Sequence, residues 1–204
     1  MADKMLLYVA GTGDCEEAVR LIEEDGADVD GRNANATTAL HVAAGRGDRL
    51  MIEALIRHGA DVNAREAPEL GSFAPLHYAI KRGDVDAVEA LLNAGADPSQ
   101  AESTHGFTPL HVAVRAGNND IAKLLVFKGA DIHRRDLEGF NASYWAREAG
   151  NEAFLAIPGV PAPSAALAEE VYAAYKIKQE IAAKVLEAAK GAAGGGKKKK
   201  KGGK

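Results

Sequence analysis

The sequence predicts an all-α solenoid, in which similar helix pairs stack on one another, and three observations predict it. A four-residue pattern recurs as TALH, APLH, TPLH and a degenerate NASY at residues 38–41, 74–77, 108–111 and 141–144, with spacings of 36, 34 and 33 residues. A second pattern, Gly-Ala-Asp, recurs in step with it, starting at Gly26, Gly59, Gly95 and Gly129. Apolar residues at helical spacing occupy the intervals between the two patterns. One structural unit is therefore repeated about every 33 residues.

Each repeat predicts two short helices. Thr38 and Thr108 stand where a side-chain oxygen caps a helix, whereas Ala74 lacks that oxygen, so its helix start is expected to be weaker by about 1 kcal/mol. The first helices carry a slim apolar face, formed by Leu40, Leu76, Leu110, Ala43, Ala79 and Ala113. The second helices carry the stripes Met51/Leu55/Ile56, Val85/Val88/Leu91/Leu92 and Ile121/Leu124/Leu125. A pair this thin buries its apolar side only against neighbouring pairs.

The period and the T-P-L-H pattern resemble those of the ankyrin-repeat family. The resemblance covers Met5 to about Ile157 and implies an ankyrin-repeat solenoid with short finger loops between helix pairs. The expected units are 5–33, 34–69, 70–103, 104–136 and a truncated 137–157, within a domain of residues 1–157. The terminal units are expected to cap the stack, with Asp3 capping the first helix. The finger between Gly59 and His77 is three residues longer than the first and is expected to protrude.

The region after the repeats predicts three further segments. Residues 158–164 contain three prolines and predict a stiff linker. Residues 165–190 lack Gly and Pro and predict one long amphipathic helix. Its expected docking residues are Leu167, Val171, Tyr175, Ile181 and Val185. This helix either folds back over the solenoid or docks on another protein, including as a coiled coil. Trp145, near the end of the repeats, is likewise expected to pack on the following segment or on a partner.

The last segment, residues 191–204, predicts a disordered basic tail. Its charges are Lys197, Lys198, Lys199, Lys200, Lys201 and Lys204. The net charge of -4 therefore divides into +6 on the tail and -10 on the other residues. A tail of this kind can have one of four roles. It can keep the chain soluble, bind an acidic protein surface such as that of a microtubule, bind nucleic acid or act as a nuclear signal, or bind anionic lipid. The sequence leaves these four roles open.

Catalytic and cofactor-binding patterns are missing from the sequence. It contains no nucleophile elbow, no phosphate-binding GxxxxGK[ST] loop and no zinc-binding pattern, and Cys15 is its only cysteine. His41, His77 and His111 belong to different repeats and would not converge on one metal; the family resemblance implies that they hydrogen-bond backbone between repeats. The first apolar run is too short for a signal peptide or a membrane span. We therefore expect a protein that is not an enzyme, with no cofactor, metal or transmembrane segment.

The family resemblance implies a protein partner on the concave side, formed by the finger tips and the outward positions of the first helices. Four cations occupy such positions in register: Arg46, Lys81, Arg82 and Arg115. They either form a basic strip for an acidic segment or are solvated helix ends. Phe73, His105, Phe107 and Leu137 on the fingers, with Tyr78 beside the strip, complete the expected partner-binding residues.

Together these features predict a non-catalytic adaptor or scaffold subunit. Its Ala/Gly-rich style and lysine-glycine end resemble axonemal subunits of cilia and flagella, which suggests a microtubule-associated cytoskeletal assembly and a cytoplasmic location. The alternative is a regulatory ankyrin binder or inhibitor of a soluble or nuclear factor, with the tail as nuclear signal or nucleic-acid contact. Nucleic acid is the less favoured partner.

Overall fold

The computed structural model describes residues 2–160, together with Ala173 and Lys184. The chain divides into two units, Met1–Pro163 and Ser164–Lys204. Ala173 and Lys184 are helical and exposed. The rest of the predicted helix 165–190, the tail 191–204 and most of the predicted linker lie outside the described residues.

The first unit is built from α-helices, and the part of it that is described contains no β-strand. The helices are α1 (Ala2–Thr12), α2 (Cys15–Glu23), α3 (Ala39–Arg46), α4 (Arg49–Arg57), α5 (Pro75–Arg82), α6 (Val85–Asn93), α7 (Pro109–Arg115), α8 (Asn119–Phe127), α9 (Ala142–Glu148) and α10 (Glu152–Leu155). The odd-numbered helices pack in sequence on one another, and the even-numbered helices form a second layer beside them. This arrangement confirms the predicted all-α solenoid.

The core lies between the two layers and continues through every repeat. The predicted face of the first helices is buried, with Leu40 and Leu110 at 0% exposure and Leu76 at 2%. Met51, Leu55, Val88, Leu91, Ile121 and Leu125 of the second helices are equally buried. Ile56 and Leu124 are half-buried, and Val85 is 41% exposed because it is the first residue of α6 and lies at the edge of the apolar stripe. Stability is thus spread over successive interfaces between repeats.

The first helices begin with a cap supplied by histidine. Nδ1 of His41 accepts the backbone N–H of Thr38 at 3.2 Å and lies 2.9 Å from the Thr38 hydroxyl. His111 and Thr108 make the same pair of contacts. The prediction that the threonine oxygen accepts the helix N–H is therefore wrong, since the hydroxyl is directed at the imidazole. A capping oxygen does start most second helices, where Asp14, Asp48, Asp84 and Asn151 accept a backbone N–H.

Ala74 keeps only half of this cap. Its N–H donates to Nδ1 of His77 at 3.2 Å, but it has no hydroxyl to add the second bond. We expect Ala74→Thr to raise the free energy of unfolding by about 1 kcal/mol relative to Ala74→Val, which has the same shape without the hydroxyl. Chemical denaturation of the two variants measures this difference. Equal stabilities would show that the hydroxyl contributes nothing at this site.

Hydrogen bonds in the turns join consecutive repeats. Backbone N–H groups of Asp61, Asp97 and Asp131 donate to the side chains of Asp30, Asn63 and Ser99 in the preceding repeat. Asp3 belongs to the same series, because its Oδ1 accepts the N–H of Asp28 at 2.9 Å. The expectation that Asp3 caps α1 is therefore wrong, since α1 already begins at Ala2. Asp3 instead links the first helix to the turn that follows the second.

The fingers are closed at their bases and joined to one another through backbone bonds. The N–H of Glu66 donates to the carbonyl of Phe73, and that of Glu102 to the carbonyl of Phe107. Between fingers, Ser103 donates to the carbonyl of Gly71 at 2.8 Å. The extra residues of the longer finger form an exposed 3-10 turn, Pro68–Leu70. Finger positions are thus fixed relative to the first helices.

Candidate partner-binding surface

The outward side of the first helices and the fingers together form one surface, which we call the finger face. Equivalent positions of α1, α3, α5, α7 and α9 place an apolar row along it: Tyr8, Val42, Tyr78, Val112 and Trp145. Tyr8 is 68% exposed, and the other four are half-buried against the core. Each of two row members lies against the preceding first helix, since a Cβ added at Gly11 would be 3.8 Å from Val42 and one added at Gly45 would be 3.6 Å from the ring of Tyr78. The finger face therefore carries one apolar side chain per repeat, in register.

One groove opens on this surface between the second and third fingers. Its cavity volume is about 370 Å³, and its lining consists of Phe73, Lys81, Glu102, His105, Phe107, Val112, Arg115 and Ala116. Five of these are among the nine residues that the sequence suggested for partner binding. Residues separated by more than 40 positions in sequence thus meet at one site, which we call the finger groove.

Two cations border the finger groove, and each lies over an aromatic ring. Nζ of Lys81 is 3.6 Å from the ring centre of Phe73, and the Arg115 guanidinium is 4.6 Å from that of Phe107 and 4.9 Å from that of Trp145. Both cations are exposed. Cation–π contacts of this kind hold the charged end in place without neutralising it. The groove therefore presents positive charge at fixed positions.

Phe107 forms the floor of the groove. It is 7% exposed and lies parallel to His105 at 5.0 Å and near-parallel to His111 at 5.8 Å between ring centres. Only a small part of its ring is open, so it differs from the exposed finger-tip anchor that the sequence suggested. Leu137 does fit that description, because it is 67% exposed on the fourth finger and its N–H donates to the His105 carbonyl.

Glu102 shapes the finger that carries His105 and Phe107. Its carboxylate is 3% exposed and accepts the backbone N–H groups of Thr104 at 2.6 Å, His105 at 2.7 Å and Phe107 at 3.1 Å. Burial alone raises the pKa of Glu102, but these backbone bonds outweigh it and leave the pKa below its ordinary value. At neutral pH the carboxylate is therefore ionised, and its oxygens already accept hydrogen bonds from backbone N–H groups.

Equivalent acids lie in the neighbouring fingers and hold the apolar row. Glu66 is 6% exposed and accepts a hydrogen bond from the Tyr78 hydroxyl at 2.7 Å. The pKa of Tyr78 is raised, mainly by burial and also by this hydrogen bond. Asp136, also 6% exposed, accepts the indole N–H of Trp145 at 2.7 Å. Trp145 thus packs back on the fourth finger and the preceding repeat. The sequence reasoning missed these acids, although each stands in step before a TPLH-like pattern.

Arg46 and Arg82 behave differently from the groove cations. Arg46 donates to the carbonyls of Gly11 at 2.6 Å and Thr12 at 3.3 Å, so it satisfies the C-terminal end of α1. Arg82 lies against Gly47, where an added Cβ would be 2.7 Å from its Nε. The four cations therefore do not form one uniform strip. Lys81 and Arg115 belong to the groove, whereas Arg46 joins two repeats.

Two of the three histidines of the TPLH-like patterns, His41 and His111, connect successive repeats. Nε2 of His41 lies 3.1 Å from the carbonyl of Phe73, and that of His111 lies 3.2 Å from that of Phe140. Since Nδ1 accepts the helix cap, Nε2 carries the proton and donates it. His77 caps in the same way, but its Nε2 has no partner at hydrogen-bond distance. Burial lowers the pKa of all three imidazoles, and that of His77 to about 4.

Within the described residues we find no metal site, no membrane-spanning helix and no activated cysteine. No group of three or more His, Cys, Asp or Glu there could hold a metal ion. No described helix is long and apolar enough to cross a membrane. Cys15 is half-buried, and burial together with Asp48 and Asp14 raises the pKa of its thiol, which makes it a poor nucleophile.

Comparison with known proteins agrees with this architecture. Residues 35–67 match the ankyrin repeat, and residues 69–136 match a longer array of ankyrin repeats. No curated protein matches the chain. Ankyrin repeats are a non-catalytic fold and serve as protein–protein interaction modules. The repeated pattern, the helix stack and these matches together show that the chain belongs to the ankyrin-repeat family.

Proposed function

We propose that this protein is a non-catalytic adaptor or scaffold subunit that binds a protein partner on its finger face. The observation that carries the proposal is the finger groove, where fixed cations stand over an aromatic floor beside the apolar row. Aromatic and apolar anchors with polar groups around them are the usual form of a protein-binding hot spot. The row extends well beyond the groove, so the partner spans several repeats.

The partner presents an acidic segment to this face. Residues 1–160 contain 15 Lys and Arg against 25 Asp and Glu, so positive charge is scarce on the solenoid as a whole. Lys81 and Arg115 concentrate it at the groove. Complementary charge of this kind favours encounter and correct register with an acidic partner.

Capture from a lysate of the native cell tests this proposal. The bait pair is the unchanged protein and a variant with Tyr8→Asp and Lys81→Glu, two exposed positions of the finger face. We expect the variant to keep its melting temperature and lose the partner, because surface changes seldom alter stability by more than about 0.5 kcal/mol. Reversal of Arg57 and Lys123, exposed on the second helices, is the control that should retain the partner. Equal capture by all baits would contradict a partner on the finger face.

The residues after the solenoid supply a second attachment in this proposal. The predicted helix 165–190 docks on the assembly, and the basic tail 191–204 acts as an electrostatic tether to an acidic cytoskeletal polymer such as a microtubule. Deletion of 191–204 should weaken polymer binding and its dependence on salt, while partner capture through the finger face persists. Retention in the insoluble fraction until high salt is the expected behaviour of an axonemal subunit. Release at low salt would instead favour a regulatory binder.

A further inference from the structure

Within the described residues, the cations of the finger groove are held by aromatic rings and not by carboxylates. Elsewhere Arg20, Arg49 and Lys123 pair with carboxylates of their own helices or adjacent turns. Lys81 and Arg115 have no carboxylate ion pair within residues 2–160, and they contact aromatic faces instead. Two exposed, positioned cations without counter-charges are a site for anionic groups from another molecule.

The groove's own carboxylate does not serve these cations. Glu102 is 3% exposed, and its oxygens accept three backbone N–H groups of the same finger. Its hydrogen-bonding capacity is largely occupied, and it has little surface open to the groove. The positive ends of Lys81 and Arg115 are therefore left to an incoming ligand.

The space between the cations suits apolar side chains. The cavity of about 370 Å³ lies near the lower end of the ~300–1,000 Å³ typical of ligand pockets, and its walls include Phe73, Phe107 and Val112. Such a volume admits a large side chain and parts of its neighbours. The ligand therefore carries an apolar group between two anionic groups.

Charge favours a short acidic peptide segment over a nucleic acid. Residues 1–160 have a net charge of -10, which disfavours the approach of a long, continuous polyanion. A segment with two or three carboxylates around one apolar residue matches the groove and adds little negative charge elsewhere. The geometry thus selects a local pattern instead of a long charged polymer.

We propose that the finger groove recognises an acidic partner segment in which one large apolar side chain, of Leu, Met or Phe size, enters between Lys81 and Arg115 while flanking Asp or Glu residues pair with them. The proposal rests on the proposed function and specifies the partner chemistry at one site of the finger face. Specificity then comes from the anchor and its acidic neighbours together.

Selection from a random 12-residue peptide library tests this recognition. We expect peptides selected on the full-length protein to carry a large apolar residue with Asp or Glu within about three positions on both sides. Lys81→Glu with Arg115→Glu should weaken the selected peptides at least about tenfold, since close charge pairs are worth more than one factor of ten in affinity. Ala116→Trp, which fills the groove and leaves the charges, should weaken them comparably. Reversal of Arg57 and Lys123 is the matched control and should change little.

Several outcomes would overturn the proposal, provided that circular dichroism shows each variant to be folded. Selected peptides without acids, or full binding to the Ala116→Trp variant, would exclude an anchored acidic segment. A 20-nucleotide oligothymidine that binds in the groove and displaces the peptides would point to nucleic acid. If the native partner still requires Tyr8 and Val42 but not the groove, this inference fails while the proposed function stands.

Discussion

Acidification from pH 6.5 to 4 should remove roughly 3 kcal/mol from the free energy of unfolding through His77 alone. The imidazole is 0% exposed, and burial lowers its pKa from 6.5 in the unfolded chain to about 4 in the folded one. Between these values the unfolded state binds the proton and the folded state does not. The contribution is therefore complete above pH 6.5 and is lost as the pH falls toward 4. Protonation would also place a donor at Nδ1, facing the N–H of Ala74.

Urea unfolding at several pH values measures this loss. His77→Gln keeps an acceptor for the helix cap but cannot titrate, so its stability should vary much less between pH 6.5 and 4. His133→Gln, at an exposed position of the fourth finger, should keep the pH dependence of the unchanged protein. His41 and His111, whose pKa values burial also lowers, add to the same trend. Identical pH profiles for the His77→Gln variant and the unchanged protein would contradict this account.

The second large effect is expected at Glu102. Glu102→Gln should lower the free energy of unfolding by about 2–3 kcal/mol, because three backbone N–H groups lose a charged acceptor in a buried place. Since His105 and Phe107 of this finger line the groove, the variant should also bind the selected peptides less tightly. Stability and affinity should thus fall together.

The control for Glu102 is Glu69, an exposed carboxylate in the 3-10 turn of the second finger. Glu69→Gln should change the free energy of unfolding by no more than about 0.5 kcal/mol. Chemical denaturation and peptide titration of both variants provide the comparison. A Glu102→Gln variant as stable as the control would show that the buried carboxylate does not organise its finger.

The solenoid was predictable because its signals are local and repeated. The spacing of His41, His77 and His111 gave the repeat period. The buried faces followed from the helical spacing of apolar residues around Leu40, Leu76 and Leu110. Because the pattern occurs several times, a small error in reading one repeat was corrected by the others. Helix ends were predictable for a similar reason, since Gly59 and its equivalents adopt positive φ. Such features depend on neighbours a few residues away.

The binding surface was only partly predictable. The repeat pattern correctly predicted Lys81 and Arg115 as outward-facing cations of one surface. It also placed Arg46 in that set, because a position in the repeat does not show that the Arg46 side chain reaches the C-terminal end of α1. Phe107 was expected as an exposed finger anchor and is instead the groove floor, since its ring stacks on His105 and His111 and is only 7% exposed. Contacts between side chains of adjacent repeats decide whether a residue lines the groove or joins two repeats. The spacing of residues along the sequence does not show these contacts.

The most direct test of the central claim is crosslinking mass spectrometry on the complex isolated from the native cell. We expect zero-length carboxyl–amine crosslinks from partner Asp or Glu to Lys81 on the finger face, and few to Lys123 on α8 or to Lys128 at the C-terminal end of that helix. The exposure of Lys123 makes it a fair comparison for reactivity. Partner crosslinks that concentrate on Lys123 and Lys128 and miss Lys81 would place the partner on the second helices and contradict the account.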